Sequence, residues 1–261
     1  MANDTWRPDQ YQRFRAERLL PLLDLIALVR PRPDMRVVDL GCGTGEGTVE
    51  LHQRLAAHTT LGIDSSQAML GRAQARQRDA LRFRLGDIAR FPESATGSFD
   101  LVFSNAALQW LPDHPRLLAR LSSALDARGQ LAVQVPANHD HPSHRTAEDL
   151  AGEAPFADRL GGTRPGSPVL APEAYAELLH QLGYLEQHVR LAVYGHLLAS
   201  RDEVVEWVRG TLLTDYERRL GPGLFAGFLA AYRERLLPQL ADTRPYFFAF
   251  KRILMWGQRA A

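Results

Sequence analysis

The sequence predicts an α/β fold in which seven strands form a mostly parallel sheet with helices on both faces. Short apolar, β-branched runs alternate with helical segments from about residue 36 to residue 135, which is typical of successive β-α-β units. The first run, Val37–Leu40, leads directly into a glycine-rich turn. Such a turn opens a helix at the ligand-binding edge of doubly wound sheets. These observations favour a Rossmann-like architecture.

The elements are assigned in chain order from their apolar periodicity and their end signals. A first helix is expected over Ala16–Val29, since prolines follow it. Strands are expected at 36–40, 60–64, 81–86, 99–104, 130–135, 185–198 and 245–256, and further helices at 45–57, 66–78, 115–125 and 174–182. Ser65 or Ser66 is expected to cap the helix at 66–78. Gly129 is expected to end the helix at 115–125, and the final strand is expected at an edge of the sheet.

Two segments interrupt the alternation of strands and helices. Residues 136–171 are rich in proline and polar turn residues, which predicts a loop-rich insertion. Residues 199–240 carry apolar side chains at helical spacing, which predicts a helical insertion. We therefore expect a single domain over residues 1–261, with an N-terminal lid segment at 1–30 and a partly helical substrate cap built from both insertions.

Composition and charge argue against several classes of protein. Of the 261 residues 45% are hydrophobic, and the formal net charge is +1, which gives no strong field for nucleic acid or an acidic membrane. No apolar run is long enough to span a bilayer, and the polar N-terminus does not resemble a signal peptide. The single cysteine, Cys42, excludes a disulfide framework and suits a reducing compartment. We expect a cytoplasmic monomer or homodimer that binds neither nucleic acid nor membrane.

The turn after the first strand indicates the cofactor. It reads Asp39-Leu40-Gly41-Cys42-Gly43-Thr44-Gly45. Glycine lets a ligand approach the main chain where a Cβ would clash. A dinucleotide-binding fingerprint would need a third glycine at position 46, which is a glutamate here. An acid followed by a neutral glycine turn suits a zwitterionic nucleoside amino acid, and so predicts S-adenosylmethionine.

Polar residues at the ends of the next three strands support the same ligand. Asp64 follows the second strand, 23 positions after Gly41, where an acid accepts hydrogen bonds from ribose hydroxyls. Asp87 follows the third strand and can meet the adenine amino group, and Asn105 ends the fourth. Cys42 is expected to be a small packing residue and not a nucleophile. The predicted cofactor-binding residues are Asp39, Gly41, Cys42, Gly43, Asp64, Ser65, Asp87, Ile88 and Asn105.

Several segments resemble one enzyme family. The order of elements over residues 30–256 resembles that of class I S-adenosylmethionine-dependent methyltransferases. More narrowly, the chain is similar to the trans-aconitate 2-methyltransferase group in three segments: Trp6–Phe14, Ser104–His114, and Gln134–Asn138 with Pro142 and His144 beyond. The resemblance implies an antiparallel final strand, S-adenosylhomocysteine as the product, and a small, anionic methyl acceptor.

The resemblance and the positions of side chains also imply the residues that bind the acceptor. These residues are Trp6, Tyr11, Gln12, Trp110, Asn138, His144 and Arg209. Arg209 lies where the sequence departs from the family, because the family's Arg-Pro pair is missing there. A carboxylate of pKa ~4 is ionised at neutral pH and needs no general base, so no catalytic side chain is expected. His139, His141 and His144 lack a carboxylate cluster and helical spacing, so no metal site is expected, and the first two are assigned to a solvated loop.

The leading hypothesis is O-methylation of a carboxylate, with trans-aconitate or a related small acid as the acceptor. A second hypothesis is methylation of a carbon, nitrogen or hydroxyl group of a secondary metabolite, which would need a base such as His144 or Tyr11. A macromolecule methyltransferase or a non-catalytic binding module forms the third. No basic stretch interleaved with aromatic residues is present. The segment Asn105–Leu108 also lacks the Pro-Pro-aromatic pattern of base methyltransferases.

Overall fold

A computed structural model describes residues 15–92, 98–161 and 167–259. The predictions for Trp6, Tyr11 and Gln12 lie outside these residues. The described strands are β1 (Arg36–Leu40), β2 (Thr59–Asp64), β3 (Leu81–Leu85), β4 (Phe99–Asn105), β5 (Leu125–Pro136), β6 (Tyr184–Leu198) and β7 (Tyr246–Arg259).

The described helices are 4 to 24 residues long, and the longest is kinked at Gly221, where the backbone is not helical. They are α1 (Arg15–Ile26), α2 (Glu46–Leu55), α3 (Gln67–Gln74), α4 (His114–Ser123), α5 (Pro142–Ala151), α6 (Ala157–Leu160), α7 (Pro172–Gln181), α8 (Asp202–Arg209) and α9 (Leu213–Leu236). Short 3₁₀ turns cover Ile88–Arg90, Leu108–Trp110 and Leu237–Gln239. Across the described part of the chain, no helix combines the length and the hydrophobicity that a membrane span requires.

The seven strands form one sheet in the order β3-β2-β1-β4-β5-β7-β6. Strands β1 to β5 pair in parallel, and β7 pairs antiparallel with β5. This arrangement confirms the predicted fold class, including the antiparallel final strand. The strand order reverses between β1 and β4, and doubly wound sheets bind their ligands at the carboxyl ends of the strands on either side of such a reversal.

The prediction that the final strand lies at an edge of the sheet is wrong. Strand β7 lies between β5 and β6, so β6 is the last strand on that side. Six consecutive residues of β7, Arg252–Gly257, are buried without alternation. Continuous burial is the pattern of a strand that is covered on both faces. An apolar run in the sequence cannot by itself distinguish such an interior strand from a half-covered one.

Three local predictions are also wrong. The segment 136–171 contains the helices α5 and α6, because Pro142 sits at the first helical position, where its missing N–H is not needed. The side chain of His141 caps this helix, so His141 is not part of a solvated loop. Gly129 does not end a helix, since β5 has already begun at Leu125.

The chain divides into two compact units. Among the described residues, the first unit, called the sheet unit, comprises residues 16–92, 98–136, 168–192 and 252–259. The second, called the helical unit, comprises residues 15, 137–161, 167 and 193–251. The core of the sheet unit is mainly aliphatic, and its solvent-inaccessible residues include Val38, Leu40, Leu51, Leu118 and Leu131.

The core of the helical unit is aromatic. Trp207 on α8 stacks on His196 with 4.8 Å between ring centroids, and it meets Phe248 edge-on at 5.7 Å. Phe228 on α9 stacks on Tyr216 at 5.1 Å. Rings in these offset and edge-on arrangements add about 0.5–1.5 kcal/mol per pair beyond the area that they bury. The aromatic residues therefore hold the insertion at 199–240 in its helical form.

A carboxylate anchors the amino ends of the central strands. Asp100 accepts hydrogen bonds from the main-chain N–H of Arg36 at 2.9 Å, from Arg36 Nε at 3.0 Å and from Arg32 Nη2 at 3.1 Å. Burial alone would raise the pKa of Asp100. The hydrogen bonds from Arg36 act in the opposite direction, and the pKa lies below its ordinary value. Asp100 thus joins β4 to β1 at the end of the sheet opposite to the glycine-rich turn.

A buried amide ties the chain before β1 to the middle of the sheet. Gln130 Oε1 accepts from the main-chain N–H of Arg30 at 2.9 Å and from Trp256 Nε1 at 2.8 Å. Gln130 Nε2 donates to the carbonyl oxygen of Arg30 at 2.8 Å. Both polar atoms of this solvent-inaccessible side chain are therefore satisfied.

We expect Gln130→Met to lower the free energy of unfolding by about 2–3 kcal/mol, because it leaves the buried indole N–H of Trp256 and the main-chain N–H and C=O of Arg30 without their partner. Gln53→Met, at an exposed position of α2, is the matched control and should change stability by less than about 0.5 kcal/mol. Urea unfolding of both variants measures the difference. Equal stabilities for the two variants would contradict the structural role of Gln130.

Candidate functional site

The turn between β1 and α2 needs glycine at three positions, for two different reasons. Gly41, Gly43 and Gly45 have φ angles of 80°, 55° and 76°, a region that side chains disfavour. A Cβ on Gly41 would lie 2.2 Å from the Cβ of Ala107, and one on Gly45 would lie 2.7 Å from the ring of Phe83. A Cβ on Gly43 would meet nothing within 4 Å. Packing thus requires two of the glycines, whereas Gly43 borders open space.

Asp64, at the end of β2, holds this turn in place. Its Oδ2 accepts the main-chain N–H of Gly43 at 2.8 Å, and its Oδ1 accepts that of Ser66 at 2.8 Å. Ser66 in turn caps α3 by accepting the N–H of Met69 at 3.1 Å, whereas Ser65 is exposed beside it. Each carboxylate oxygen has two lone-pair sites, so Asp64 can also accept hydrogen bonds from a ligand.

Asp39 and Cys42 are buried in and next to the turn. Thr48 Oγ1 donates to Asp39 Oδ2 at 2.6 Å, which ties β1 to the first turn of α2. Burial raises the pKa of Asp39 to about 7, with the charge of Asp64 acting in the same direction and the Thr48 bond opposing it. Burial also raises the pKa of the Cys42 thiol, so this sulfur stays protonated and is not a nucleophile.

The loop after β3 lies against the same turn. Asp87 caps the 3₁₀ turn that follows it, and its Oδ1 accepts the main-chain N–H of Ala89 at 2.8 Å. The Asp87 side chain is otherwise exposed. Ile88 Cδ1 lies 3.5 Å from the position that a Cβ on Gly41 would occupy. All nine predicted cofactor-binding residues therefore lie in the sheet unit, in or after β1 to β4 at their carboxyl ends.

The loop after β4 contains buried acceptor atoms without donors. Asn105 Oδ1 and Gln109 Oε1 are both buried, and neither has a hydrogen-bond partner in the described part of the chain. The amide of Gln109 is oriented, because its Nε2 donates to the carbonyl oxygen of Ala106 at 2.7 Å. Trp110 follows, with 38% of its surface exposed. Unsatisfied buried polar atoms in a native structure call for an explanation such as a bound ligand, and the sequence had not singled out Gln109.

In the helical unit, Asn138 presents a buried donor. Its Oδ1 accepts the main-chain N–H of Lys251 at 3.2 Å, which fixes the orientation of the amide. Its Nδ2 is buried and has no hydrogen-bond partner among the described residues. Lys251 Nζ forms an ion pair with Asp140, and this contact holds the pKa of that carboxyl below its ordinary value. The loop around Asn138 is thus fastened to Lys251 of β7 by main-chain and ionic contacts.

His144 belongs to a chain of hydrogen bonds that joins the start of α5 to Tyr232 on α9. Ser143 Oγ lies 2.9 Å from His141 Nδ1 and 3.2 Å from His144 Nδ1, and Tyr232 donates to the Ser143 carbonyl oxygen at 2.8 Å. Burial lowers the pKa of His144 to about 3, and it lowers the pKa of His141 as well. His144 is therefore neutral at physiological pH and can offer a hydrogen bond, but not a positive charge, to an anion.

Arg209 is the last residue of α8. It is half-buried, and its Nε is buried without a hydrogen-bond partner. Within the described part of the helical unit, no hydrogen bond joins the side chains of Asn138, His144 and Arg209. Asn138 and Arg209 each present an N–H donor that suits an anionic ligand.

Comparisons with known proteins agree with this geometry. A family model described as a methyltransferase domain matches residues 31–160. A trans-aconitate 2-methyltransferase of Deinococcus radiodurans is 49% identical over 259 residues, which cover 98% of both chains. The enzyme of the same name from Variovorax paradoxus is 39% identical over 261 residues, covering 98% of this chain and 99% of its own.

Solved structures share the fold, and two of them serve as examples. The YcgJ protein of Bacillus subtilis is similar with a TM-score of 0.63 at 16% identity, covering 93% of this chain and 99% of its own. Phosphoethanolamine N-methyltransferase 2 of Haemonchus contortus, in complex with S-adenosyl-L-methionine, is similar with a TM-score of 0.54 at 17% identity. That match covers 95% of this chain and 53% of the other. At such identities the likeness supports the fold alone.

We expect His144→Gln to reduce the loss of stability on acidification. The folded-state pKa of about 3 lies below the unfolded value of about 6.5, so the unfolded chain binds the additional proton between these values. The contribution of His144 is complete above about pH 6.5 and is lost as the pH falls towards 3. When the pH is lowered from about 7.5 to about 5.0, the free energy of unfolding, measured with urea, should fall by about 1–2 kcal/mol less in the variant than in the wild type.

His180→Gln is the matched control for this experiment, because His180 is exposed on α7. Its difference between the two pH values should equal that of the wild type. If the His144 variant also keeps the wild-type difference, His144 is not buried in its neutral form.

Proposed function

Because the chain belongs to the trans-aconitate 2-methyltransferase family, we propose that it transfers a methyl group from S-adenosylmethionine to a carboxylate of a small acid, with trans-aconitate as the leading acceptor. The chain is an S-adenosylmethionine-dependent methyltransferase. The main observation behind the proposal is the glycine turn at the reversal of the strand order. There Gly43 borders open space, and its main-chain N–H donates a hydrogen bond to Asp64.

The residues of the sheet unit suit this cofactor. S-adenosylmethionine supplies a methyl group that is already activated by the positive charge on its sulfur. Asp64 ends β2 at the position where an acid accepts hydrogen bonds from ribose hydroxyls, and the space at Gly43 leaves room for the methionine part. Asn105 Oδ1, a buried acceptor without a donor, suits the ammonium group. Asp87 and Ile88 follow β3 at the place proposed for adenine.

The residues of the helical unit suit an anionic acceptor. We assign its binding to Asn138 Nδ2 and Arg209 Nε, which are buried donors without partners, together with the neutral His144. The insertions 136–171 and 199–240 contain these three residues, and this is why we propose them as the substrate cap. In the sheet unit, Trp110 in the loop after β4 is a separately proposed contact of the acceptor.

The pKa of His144 argues against one of the two bases, His144 and Tyr11, that other methyl acceptors would need. A hydroxyl, amine or carbon acid would need a general base whose pKa is close to the working pH. With a pKa of about 3, His144 is too weak a base at neutral pH for that role. A carboxylate is ionised without help, so the protein needs only to align it and to exclude water, and alignment can supply roughly 7–11 kcal/mol.

We expect Gly43→Val to weaken the binding of S-adenosylhomocysteine at least about tenfold, a loss of about 1.4 kcal/mol or more, because the side chain would occupy the space beside the turn. Gly183→Val is the matched control. Gly183 has a φ of 84°, and a Cβ there would likewise meet nothing within 4 Å, but it lies between α7 and β6. Both variants should lose about 1–3 kcal/mol of stability to backbone strain.

Only the Gly43 variant should lose affinity, as measured by isothermal titration calorimetry on the folded proteins. Normal affinity in Gly43→Val would mean that the turn has only a structural role.

Labelled product analysis tests the reaction itself. With methyl-labelled S-adenosylmethionine and trans-aconitate, the label should appear in a methyl ester that mild base hydrolyses. The rate should be nearly flat from about pH 6 to pH 9, because acids of pKa ~4 are fully ionised there. A set of other mono-, di- and tricarboxylic acids serves as the comparison. A base-stable product formed at a rate that rises steeply with pH would contradict carboxylate methylation and favour an acceptor that must lose a proton.

A further inference from the structure

A buried arginine and a buried amide lie at the carboxyl ends of β4 and β5, outside the acceptor residues assigned above. Arg252 is 5% exposed, and Gln134 is inaccessible to solvent. Gln134 on β5 pairs with Asn105 on β4, and Pro136 pairs with Arg252 on β7. Paired residues share a face of the sheet, and side chains alternate along a strand. Asn105, Gln134 and Arg252 therefore project from the same face of the sheet unit.

The amide of Gln134 has a defined orientation. Arg252 Nη1 donates a long hydrogen bond of 3.4 Å to Gln134 Oε1. Because Oε1 faces the guanidinium, Nε2 points away from it, and this buried atom has no hydrogen-bond partner among the residues that the structure describes. A buried N–H without an acceptor is unfavourable, since it has lost its hydrogen bonds to water. An acceptor atom from a ligand would remove that penalty.

The same strand shows that a buried amide can be satisfied by the protein alone. Gln130 lies four residues before Gln134 on the same face of β5, and both its polar atoms have partners in Arg30 and Trp256. The orphaned Nε2 thus occurs at the ligand-binding end of the strand and not in its middle. This difference points to a ligand as the missing partner of Gln134.

We propose that Gln134 Nε2 and the guanidinium of Arg252 bind a carboxylate of the acceptor other than the one that is methylated. The proposal rests on the proposed function, and it names a further determinant of acceptor specificity. Carboxylate oxygens are the acceptors that an amide N–H and a planar guanidinium bind best. Binding here selects acceptors that carry at least two carboxylates.

The charge change of the reaction explains why the non-reacting carboxylate occupies this subsite. The carboxylate that becomes a methyl ester loses its negative charge, so a cationic clamp on it would stabilise the ground state more than the transition state. A second carboxylate keeps its charge throughout. Holding that group at Arg252 therefore adds affinity for the acceptor without opposing methyl transfer.

The variant Gln134→Glu tests the subsite. It replaces the Nε2 donor by an acceptor oxygen, and it keeps the size of the side chain and the oxygen that faces Arg252. We expect KM for trans-aconitate to rise at least about tenfold, with kcat changed less than about twofold. The affinity of trans-aconitate for the S-adenosylhomocysteine complex should fall by a similar factor, and the affinity for S-adenosylhomocysteine itself should not change.

Two further variants complete the experiment. Gln134→Met removes the donor without adding charge, and it should also raise KM, so a folding failure of the glutamate variant leaves the test intact. Gln130→Met is the matched control and should lower stability but leave KM unchanged. If the wild type forms a methyl ester of trans-aconitate and both Gln134 variants keep its KM, the subsite is refuted and the proposed function stands. If the wild type esterifies no carboxylic acid, both the subsite and the proposed function are refuted.

Discussion

The paired hydrogen bonds of the Asp64 carboxylate are the constraint on which the rest of the site depends. One oxygen holds Gly43 in the turn after β1, and the other holds Ser66 at the start of α3. The left-handed backbone of the turn is unfavourable for most residues, so it persists only where the surroundings enforce it. Asp64 does so from one side, while the close approach of Ala107 to Gly41 does so from the other. The open space beside Gly43 exists because both constraints act together.

Buried amides distinguish the structural part of the sheet from the part that is suited to a ligand. Gln130, in the middle of β5, has partners on both polar atoms. Asn105, Gln109 and Gln134, at the carboxyl ends of β4 and β5, each keep one buried atom without a partner. This protein therefore leaves its hydrogen-bonding capacity unsatisfied at the edge where doubly wound sheets bind ligands.

The sequence was sufficient for the fold class and for the elements around the glycine turn, because short β-branched strands and a glycine motif are local signals. It was not sufficient for the interior position of β7, which depends on pairing between residues more than 100 positions apart. The same long-range register brings Arg252 to Gln134, so no local pattern could have indicated that pair. The low pKa of His144 results from burial, and the sequence contains no direct measure of burial.

The binding of S-adenosylhomocysteine to the variants Asp64→Ala and Asp100→Ala tests the role of Asp64. Both remove a carboxylate that accepts several hydrogen bonds, but Asp100 lies at the amino ends of the strands. We expect Asp64→Ala to bind the product about 5- to 150-fold more weakly, equivalent to about 1–3 kcal/mol, whereas Asp100→Ala should lose stability but keep its affinity. Unchanged affinity in a folded Asp64→Ala protein would mean that Asp64 does not form the cofactor site.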